Sequence, residues 1–245
     1  MNTLAVQIKL EAKLFLREKE ALFWMLAFPV FMIVLFGLIW KDKVWGGTPV
    51  IAYLLPGIIV MAVMTTCIVS TATGVVEERE KGIFRRLSLT PLKRQALIGG
   101  QIVNRYLIVL AQTIILIGIG IAFFGASIAG NRLLFWGVLT IGALSFLALG
   151  FALAGIIKSE KSAHPVSMIV FFTLMFLGGC FFPIEQMPEF LHPVCEALPS
   201  LHLNDALRMV IVGRVGFSEI WQELPVLLGW FGGCSAIAVK FFRWE

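Results

Sequence analysis

Six apolar stretches make up most of the chain, and each is close to the length that an α-helix needs to cross a lipid bilayer. They cover residues 21–40, 53–76, 106–125, 133–157, 165–182 and 225–241. A helix rises about 1.5 Å per residue, so about 20 residues span the roughly 30 Å hydrocarbon layer. The last two stretches are near the lower length limit, but Pro165, Pro183 and Pro225 bound them where helix ends are expected. The pattern therefore predicts six transmembrane helices.

The composition agrees with a membrane location. The 245 residues are 59% hydrophobic and 14% charged, and their mean hydropathy is +0.91. A soluble domain usually contains about 25% charged residues, and it could not bury so much apolar surface. Because the six stretches leave no separate soluble segment, we expect residues 1–245 to form one all-α membrane domain.

The positions of Lys and Arg predict the orientation of this domain. If the N-terminus is inside, the inner segments contain 15 of the 20 basic residues. These are Lys9, Lys13, Arg17, Lys19, Arg79, Lys81, Arg85, Arg86, Lys93, Arg94, Arg105, Lys158, Lys161, Lys240 and Arg243. Basic loops stay on the cytoplasmic side, so we expect both termini to be cytoplasmic in a prokaryotic plasma membrane. The same rule explains the net charge of +5, and nucleic acid is not an expected partner.

Residues 1–20 are predicted to form an amphipathic helix before the first span. Their apolar residues fall within one sector of a helical projection, about 120° wide, and most of the charged residues lie opposite. Such a helix lies in the plane of the inner lipid headgroups. It either anchors the chain or contacts a cytoplasmic partner, and the pattern leaves both alternatives open.

The cytoplasmic segment 77–92 has the composition of a docking element. Its charged residues extend the second span into water, and Gly82 can end that helix. Ile83, Phe84, Leu87 and Leu89 follow among the arginines, and we expect them to be exposed apolar side chains surrounded by charge. A solvated loop that only obeys the charge rule is the alternative, although topology does not require its apolar residues. The candidate docking residues are Glu77, Glu80, Lys81, Gly82, Phe84, Arg85, Arg86, Leu87, Thr90 and Pro91.

Thr90 and Pro91 also form a helix start, because threonine is a good N-cap and proline suits the first helical position. That helix should continue through Arg105 into the third span.

On the other side of the membrane, prolines divide residues 183–224 into pieces too short to cross, yet the segment begins almost as apolar as a span. We expect short re-entrant or interfacial helices there, with an ordinary outer loop as the alternative.

Several kinds of chemistry are absent from the sequence. No phosphate-binding loop of the form G-x-x-x-x-G-K-[ST] occurs, so any ATP hydrolysis requires another chain. The histidines and cysteines show no metal-ligand spacing. No acidic residue lies in the core of a span, which disfavours proton or sodium coupling. A membrane-embedded enzyme that modifies lipids is a second hypothesis, for which His192, Cys195, Glu196 and His202 are the available group. A passive channel or scaffold is a third.

Large flexible and aromatic side chains in the second and fifth spans are candidates for a substrate path. They either face an amphipathic substrate or face lipid. These residues are Met61, Met64, Phe171, Phe172, Met175 and Phe176.

Two segments carry a resemblance to a known family. The run EEREKGIFRRLSLTPLKRQALI (residues 77–98) resembles the coupling loop of type-2 ABC exporter permeases, which move drugs, lipids and polysaccharides. The stretch FFPIEQMPEFLHPVCEALPSLHLNDALRMVIVG (residues 181–213) is similar to the outer segment of that family. One departure is the Pro199–His202 run, where relatives often carry Asn-Pro. The six spans, the interfacial helix and the chain length also fit.

The resemblance implies a permease subunit that moves an amphipathic drug, lipid or glycan outward and is not itself an enzyme. It implies a dimer of permeases, in which the partner is a second copy of this chain (a homodimer) or else a sister permease, together with two ATP-binding subunits that carry ATP and Mg. The helix around residues 80–89 would sit in a cleft of each ATP-binding subunit. Phe182, Pro183, Met187 and Pro188 would belong to an outer gate over the substrate exit.

Overall fold

A computed structural model of the chain describes residues 19–40, 43–45, 48–88, 94–126, 129–181, 184–213 and 217–241. Within these ranges the regular structure is helical, apart from a short antiparallel hairpin of β1 (Val44–Trp45) and β2 (Thr48–Pro49). The all-α prediction is confirmed for this part of the chain. The predicted interfacial helix of residues 1–20 lies almost wholly outside the described residues.

A helix covers most of each predicted apolar stretch. In chain order the described helices are α1 (Lys19–Ile39), α2 (Val50–Glu80), α3 (Ile83–Ser88), α4 (Arg94–Phe124), α5 (Arg132–Ile156), α6 (Glu160–Leu177), α7 (His192–Glu196), α8 (Pro199–Val212), α9 (Phe217–Ile220) and α10 (Leu224–Phe241). Two 3₁₀ turns, Ile184–Gln186 and Glu189–Leu191, precede α7. As predicted, α4 runs without interruption through Arg105 into the third apolar stretch.

Four helices of the described chain are long and apolar enough to cross a membrane. They are α2, the part of α4 from Leu97 to Phe124, α5 and α10. The apolar part of α1, Met25–Ile39, is shorter. The first turns of α6 contain Glu160, Lys161 and His164, which lower its apolar character. The structure thus confirms a helical protein with several helices that are long and apolar enough to cross a membrane, and the count of six crossings stays a prediction.

Capping residues explain where several helices begin and end. The Asn131 side chain accepts a hydrogen bond from the Leu133 backbone nitrogen at 2.9 Å, which satisfies one free donor at the start of α5. Ser159 caps α6 in the same manner. Gly213 ends α8 with a φ of 70°, a conformation that glycine adopts without the steric cost of a Cβ.

Helix α2 lies at the centre of the bundle. Its apolar window is 89% buried, whereas those of α4 and α10 are 28% and 11% buried. It packs against α1, α4, α5 and α8. The outer helices α4 and α10 instead expose large apolar side chains such as Ile114, Phe123 and Val239. Apolar side chains that point outward along such helices are suited to contact lipid.

A π-helical segment, Thr65–Ser70, interrupts α2 near its middle. The Thr66 hydroxyl donates to Gln112 Oε1 of α4 at 2.8 Å, and Gln112 Nε2 donates to the Met25 carbonyl of α1 at 3.2 Å. These buried polar groups satisfy one another and join α1, α2 and α4. The sequence did not predict this irregular segment, because apolar periodicity does not distinguish π from α turns over so few residues.

The two ends of the bundle differ in their connections. At one end, Lys81 lies between α2 and α3, Arg85 and Arg86 lie in α3, Lys158 lies between α5 and α6, and Lys161 lies in the first turn of α6. We call this the basic end. The β1–β2 hairpin and the described residues 184–213 and 217–223 lie at the opposite end. The candidate docking residues therefore lie at the basic end, and the candidate gate lies at the other.

Candidate functional site

The candidate docking site is a sharp turn between α2 and α3. Gly82 has a φ of 65°, and its backbone nitrogen donates to the Arg79 carbonyl at 3.0 Å. Its own carbonyl accepts from the Arg86 nitrogen at 3.1 Å, which begins α3. The prediction that Gly82 ends the second helix is confirmed. Only a residue that tolerates this left-handed conformation allows α3 to start after a turn of just two residues, Lys81 and Gly82.

The charged residues of this turn face outward. Glu80, Lys81, Arg85 and Arg86 are exposed, and Lys81 forms an ion pair with Glu77 one helical turn earlier. A guanidinium nitrogen of Arg86 donates to the Lys81 carbonyl at 2.7 Å, which links α3 to the end of α2. Surface pairs of this kind add little stability. Their main effect here is to present both signs of charge on one short, ordered protrusion.

Phe84 differs from the sequence prediction. It was expected to be an exposed apolar side chain, but only 3% of its surface is accessible. It belongs to a cluster with Val75, Val76, Leu97, Phe151, Ala154, Ile157 and Ala163. The expectation of exposure is wrong because α3 folds back onto the ends of α2 and α5, so that Phe84 faces inward. Phe84 therefore anchors α3 to the bundle, and Arg85 and Arg86 remain outside.

Polar bonds connect the end of α2 to its neighbours. Arg79 donates through Nη1 to the Ala154 carbonyl at 2.9 Å and through Nη2 to the Ile157 carbonyl, both at the end of α5. Gln101 of α4 donates to Glu78 at 2.6 Å. The sequence indicated Arg79 as a sign of orientation and as one of the charged residues that extend the second helix. It could not predict these contacts, because the acceptors are backbone atoms 75 and 78 residues away. We call the contact of Arg79 with these two carbonyls the Arg79 bridge.

The side chain of Leu87 lies outside the described part of the structure, as do Thr90 and Pro91. Their roles stay predictions. Glu77, Glu80, Lys81, Gly82, Phe84, Arg85 and Arg86 are brought together around one turn, and Phe84 lies on its inner side.

The segment between α6 and α10 contains the short helices expected there. Met187 is half-buried, with its sulfur 3.7 Å from the Cys195 sulfur, and Pro188 is exposed. Phe182 and Pro183 lie outside the described residues. Helix α8 is the longest element of this segment, and it packs against α2, α5 and α10 rather than lying on the surface.

A polar cluster on α8 was not predicted from the sequence. Asn204 Nδ2 and Arg208 Nη2 both donate to the Gly179 carbonyl, at 2.7 and 3.2 Å. Arg208 also pairs with Asp205 at 2.8 Å, and its guanidinium lies 3.9 Å from the centre of the Tyr53 ring. These groups tie α8 to α2 and to the end of α6. The four-residue spacing of Asn204 and Arg208 on one helix face was a signal that could have indicated a shared contact.

Two groups of this segment, which lies outside the membrane-crossing helices, have altered acidities. Burial raises the pKa of Asp205 to about 6, although the positive charge of Arg208 opposes the change. A hydrogen bond to Glu223 raises the pKa of His202, and burial opposes it. His202 also contacts the Glu196 carbonyl through Nε2 at 2.6 Å. His202 thus joins α8 to the end of α7 and to the residue before α10.

The residues proposed for a lipid-modifying enzyme have structural partners. His192 contacts the Met187 carbonyl at 3.1 Å, His202 has the contacts described above, and Cys195 is buried. Within the described ranges, no group of three or more His, Cys, Asp or Glu side chains could hold a metal ion.

The candidate path residues separate into two groups. Met61, Met64, Phe171 and Met175 are buried in the main hydrophobic core. Phe172 and Phe176 are about half exposed on α6, and their rings stack with centres 6.3 Å apart. In this single chain the six residues therefore do not form one continuous lining.

Taken together, the apolar helices define a multi-pass membrane protein, and an ordered turn with exposed charged residues lies at one end of it. Residues 4–212 match the model of the ABC-2 type transporter family. The chain belongs to this family, whose members are transport permeases and not enzymes, and the family implies an ATP-binding subunit as a partner.

Curated relatives agree with this assignment. The chain is 28% identical over 237 residues to YvfS of Bacillus subtilis (strain 168), named as a transport permease, with 94% of this chain and 93% of YvfS covered. It is 24% identical over 191 residues to YbhR of Escherichia coli (strain K12), named as a multidrug ABC transporter permease. That match covers 78% of this chain and 52% of YbhR. A third match, ABC transporter G family member 20 of Dictyostelium discoideum, is 25% identical and covers 77% of this chain but 26% of the relative.

Proposed function

We propose that this permease exports an amphipathic drug, lipid or glycan, with the energy of ATP that a separate subunit hydrolyses. The exposed charged turn at Glu80, Lys81, Arg85 and Arg86 is the observation that carries this proposal. It is held in place by Phe84 and by the Gly82 turn, so an ATP-binding subunit that docks there would move α2 and α3 together. The absence of a phosphate-binding loop in the sequence agrees with hydrolysis in a partner.

The proposed assembly contains two copies of this chain and two ATP-binding subunits, which hold ATP and Mg. Each chain crosses a prokaryotic inner membrane six times, with both termini and the basic end in the cytoplasm. The bias of Lys and Arg toward that end supports the orientation. Another relative, YhhJ of Escherichia coli (strain K12), is named as an inner membrane transport permease.

The proposed substrate path passes α6, and the proposed outer gate lies in the segment between α6 and α10. Phe172 and Phe176 are the path candidates whose rings an amphipathic molecule or a lipid can reach. In the gate, Met187 and Pro188 lie next to α7, whose packing on α8 connects them to the bundle. YbhR is named as a multidrug permease, which supports a broad amphipathic substrate class.

Co-purification tests the docking proposal. A tagged chain should retain an ATP-binding subunit when it is extracted from its native membrane. The double variant Arg85→Glu/Arg86→Glu should lower the retained subunit at least about tenfold, since disrupting charge pairs in an interface costs several kcal/mol.

Lys158→Glu/Lys161→Glu is the matched control, because both lysines are exposed at the same end and the charge change is equal. It should leave retention unchanged. If no ATP-binding subunit is retained by the parent chain, or if both double variants behave alike, the docking proposal is contradicted. If ATP-independent activity on a lipid is found instead, the lipid-modifying enzyme becomes the better hypothesis.

A further inference from the structure

Arg79 lies in the last turn of α2, three residues before Gly82. It occupies the point where the docking turn meets the membrane-crossing bundle. Its guanidinium reaches sideways to α5 and bonds the Ala154 and Ile157 carbonyls. Most other basic side chains at this end, including Lys81, Arg85 and Arg86, are exposed.

The two acceptors explain why an arginine is needed. Ala154 belongs to the last four residues of α5, and Ile157 is its C-cap with an extended backbone. Carbonyls at the end of a helix lack partners within the helix and carry partial negative charge. A guanidinium is planar and always charged, so it can bond two such oxygens at once. A lysine ammonium cannot reproduce this forked geometry.

The surroundings make the contact a rigid one. Val75, Val76 and Phe84 pack with Phe151, Ala154 and Ile157 in one buried cluster around the bridge. The end of α2, the docking helix α3 and the end of α5 are therefore joined by apolar packing and by two charge-assisted hydrogen bonds. Such bonds are stronger than neutral ones.

Helix α5 extends the connection to the opposite end. It packs along α10, and the Ser145 hydroxyl donates to the Leu227 carbonyl at 2.8 Å. Gly142 of α5 lies against Leu203 of α8, so α5 also contacts the segment that carries the candidate gate. A displacement of the end of α5 would therefore reach α8 and α10.

We propose that Arg79 is a positioning residue that makes α5 move with the docking turn, so that force applied at α3 reaches the opposite end of the bundle through α5. This inference rests on the proposed function for the source of the force. The bridge itself does not depend on it, and the experiment separates the two.

The bridge is tested with the full chain in lipid nanodiscs. Cys67, Cys180, Cys195 and Cys234 are replaced, and spin labels are attached through Glu80→Cys and Lys158→Cys, which are exposed positions beside the bridge. With Arg79 present, dipolar EPR should give one narrow, short distance. Arg79→Gln should raise the population of longer distances about tenfold, the effect of losing a charge-assisted hydrogen bond. Arg79→Lys, which keeps the charge, should give an intermediate result.

Lys161→Gln is the control, because it removes a positive charge from an exposed side chain at the same end that is not part of the bridge. It should leave the distance unchanged. Equal distance distributions for the parent chain and for Arg79→Gln would overturn the inference. If size-exclusion profiles show that Arg79→Gln does not fold, the distance distribution of Arg79→Lys tests the inference instead.

The transmission of movement from the docking turn through α5 is tested in the complex with the retained ATP-binding subunit. Val44 and Leu133 are exposed near the ends of α2 and α5 that lie away from the docking turn, and spin labels at Val44→Cys and Leu133→Cys measure the distance between those ends. ATP with vanadate should change this distance in the parent chain, and Arg79→Gln should abolish the change while ATP hydrolysis continues. A change of equal size in both would overturn the inference. If no ATP-binding subunit assembles, the proposed function fails, whereas the first pair of labels still decides whether Arg79 joins the two helices.

Discussion

Gly150 of α5 lies against the backbone of α2, at the Cys67 carbonyl within the π-helical segment. A Cβ at this position would fall well inside van der Waals contact of that oxygen, and backbone atoms cannot move aside easily. We expect Gly150→Ala to force the two helices apart and to lower the free energy of unfolding by about 1–3 kcal/mol. The melting temperature of the detergent-solubilised chain, followed by size-exclusion fluorescence, measures this loss.

Gly118→Ala is the matched control for this prediction. Gly118 lies within α4, and a Cβ there would meet nothing within 4 Å. Alanine favours a helix more than glycine does, so this variant should keep or slightly raise the melting temperature. Equal losses for both variants would show that the close approach of α2 and α5 at Gly150 does not determine the result.

Phe84 gives a second prediction at the scale of one residue. Because its ring is buried between α3, α2 and α5, Phe84→Ala should destabilise the isolated chain by about 3 kcal/mol, even when no partner is present. If Phe84 were instead an exposed contact for a partner, its removal would leave the isolated chain unchanged. Thermal unfolding without the ATP-binding subunit distinguishes these results. Phe172→Ala, which truncates a half-exposed phenylalanine of α6, should have a much smaller effect.

At the scale of elements, the sequence predicted those features whose causes lie close together along the chain. Gly82 ends α2 because of its own backbone freedom, and the apolar stretches specify the long helices by length alone. The inward position of Phe84 and the Arg79 bridge depend on α5, more than 60 residues further along. Alternating charge and apolarity could not show which side of α3 faces the bundle. Long-range packing decides such questions.

Two titratable groups of α8, Asp205 and His202, predict that the stability of the fold depends on pH. Burial raises the pKa of Asp205 from its usual value of 3.8 to about 6 in the folded chain. The stabilisation of the fold that comes from this carboxyl is therefore fully present below pH 3.8, and it is lost as the pH rises through about 6. The pKa of His202 is also raised, so its contribution is lost in the same direction, as the pH rises through its folded value. Both groups therefore make the folded state more stable at pH 5 than at pH 7.5.

Asp205→Asn should remove the part of this dependence that belongs to Asp205. We expect the gain in stability between pH 7.5 and pH 5 to shrink by about 1 kcal/mol, since an amide does not titrate. Melting temperatures at the two pH values, measured for the parent chain and the variant, give the difference. Glu189→Gln, at an exposed carboxyl of the same segment, is the control and should keep the full dependence. An unchanged difference in Asp205→Asn would show that other groups cause it.

At the scale of the whole molecule, six crossings require that successive connections alternate between the two sides of the membrane. Four described helices meet the criteria for a crossing by themselves, and α1 and α6 do not. Both nevertheless pack as full members of the bundle, since α1 contacts α2 and α4 while α6 contacts α2, α5 and α8. A helix held between crossing helices in this way can cross with a shorter apolar length, because its polar first turn remains at the interface.

This alternation can be tested with single cysteines at Val44, Lys81, Leu133, Lys158, Glu189 and Lys240, in a chain without its four native cysteines. A maleimide that does not cross membranes should label Val44→Cys, Leu133→Cys and Glu189→Cys in intact cells, and the other three only after permeabilisation. The pair Lys158 and Glu189 flanks α6, so labelling of both from one side would show that α6 does not cross. Labelling of Lys81→Cys from outside would reverse the orientation, and the docking turn could then meet no cytoplasmic ATP-binding subunit.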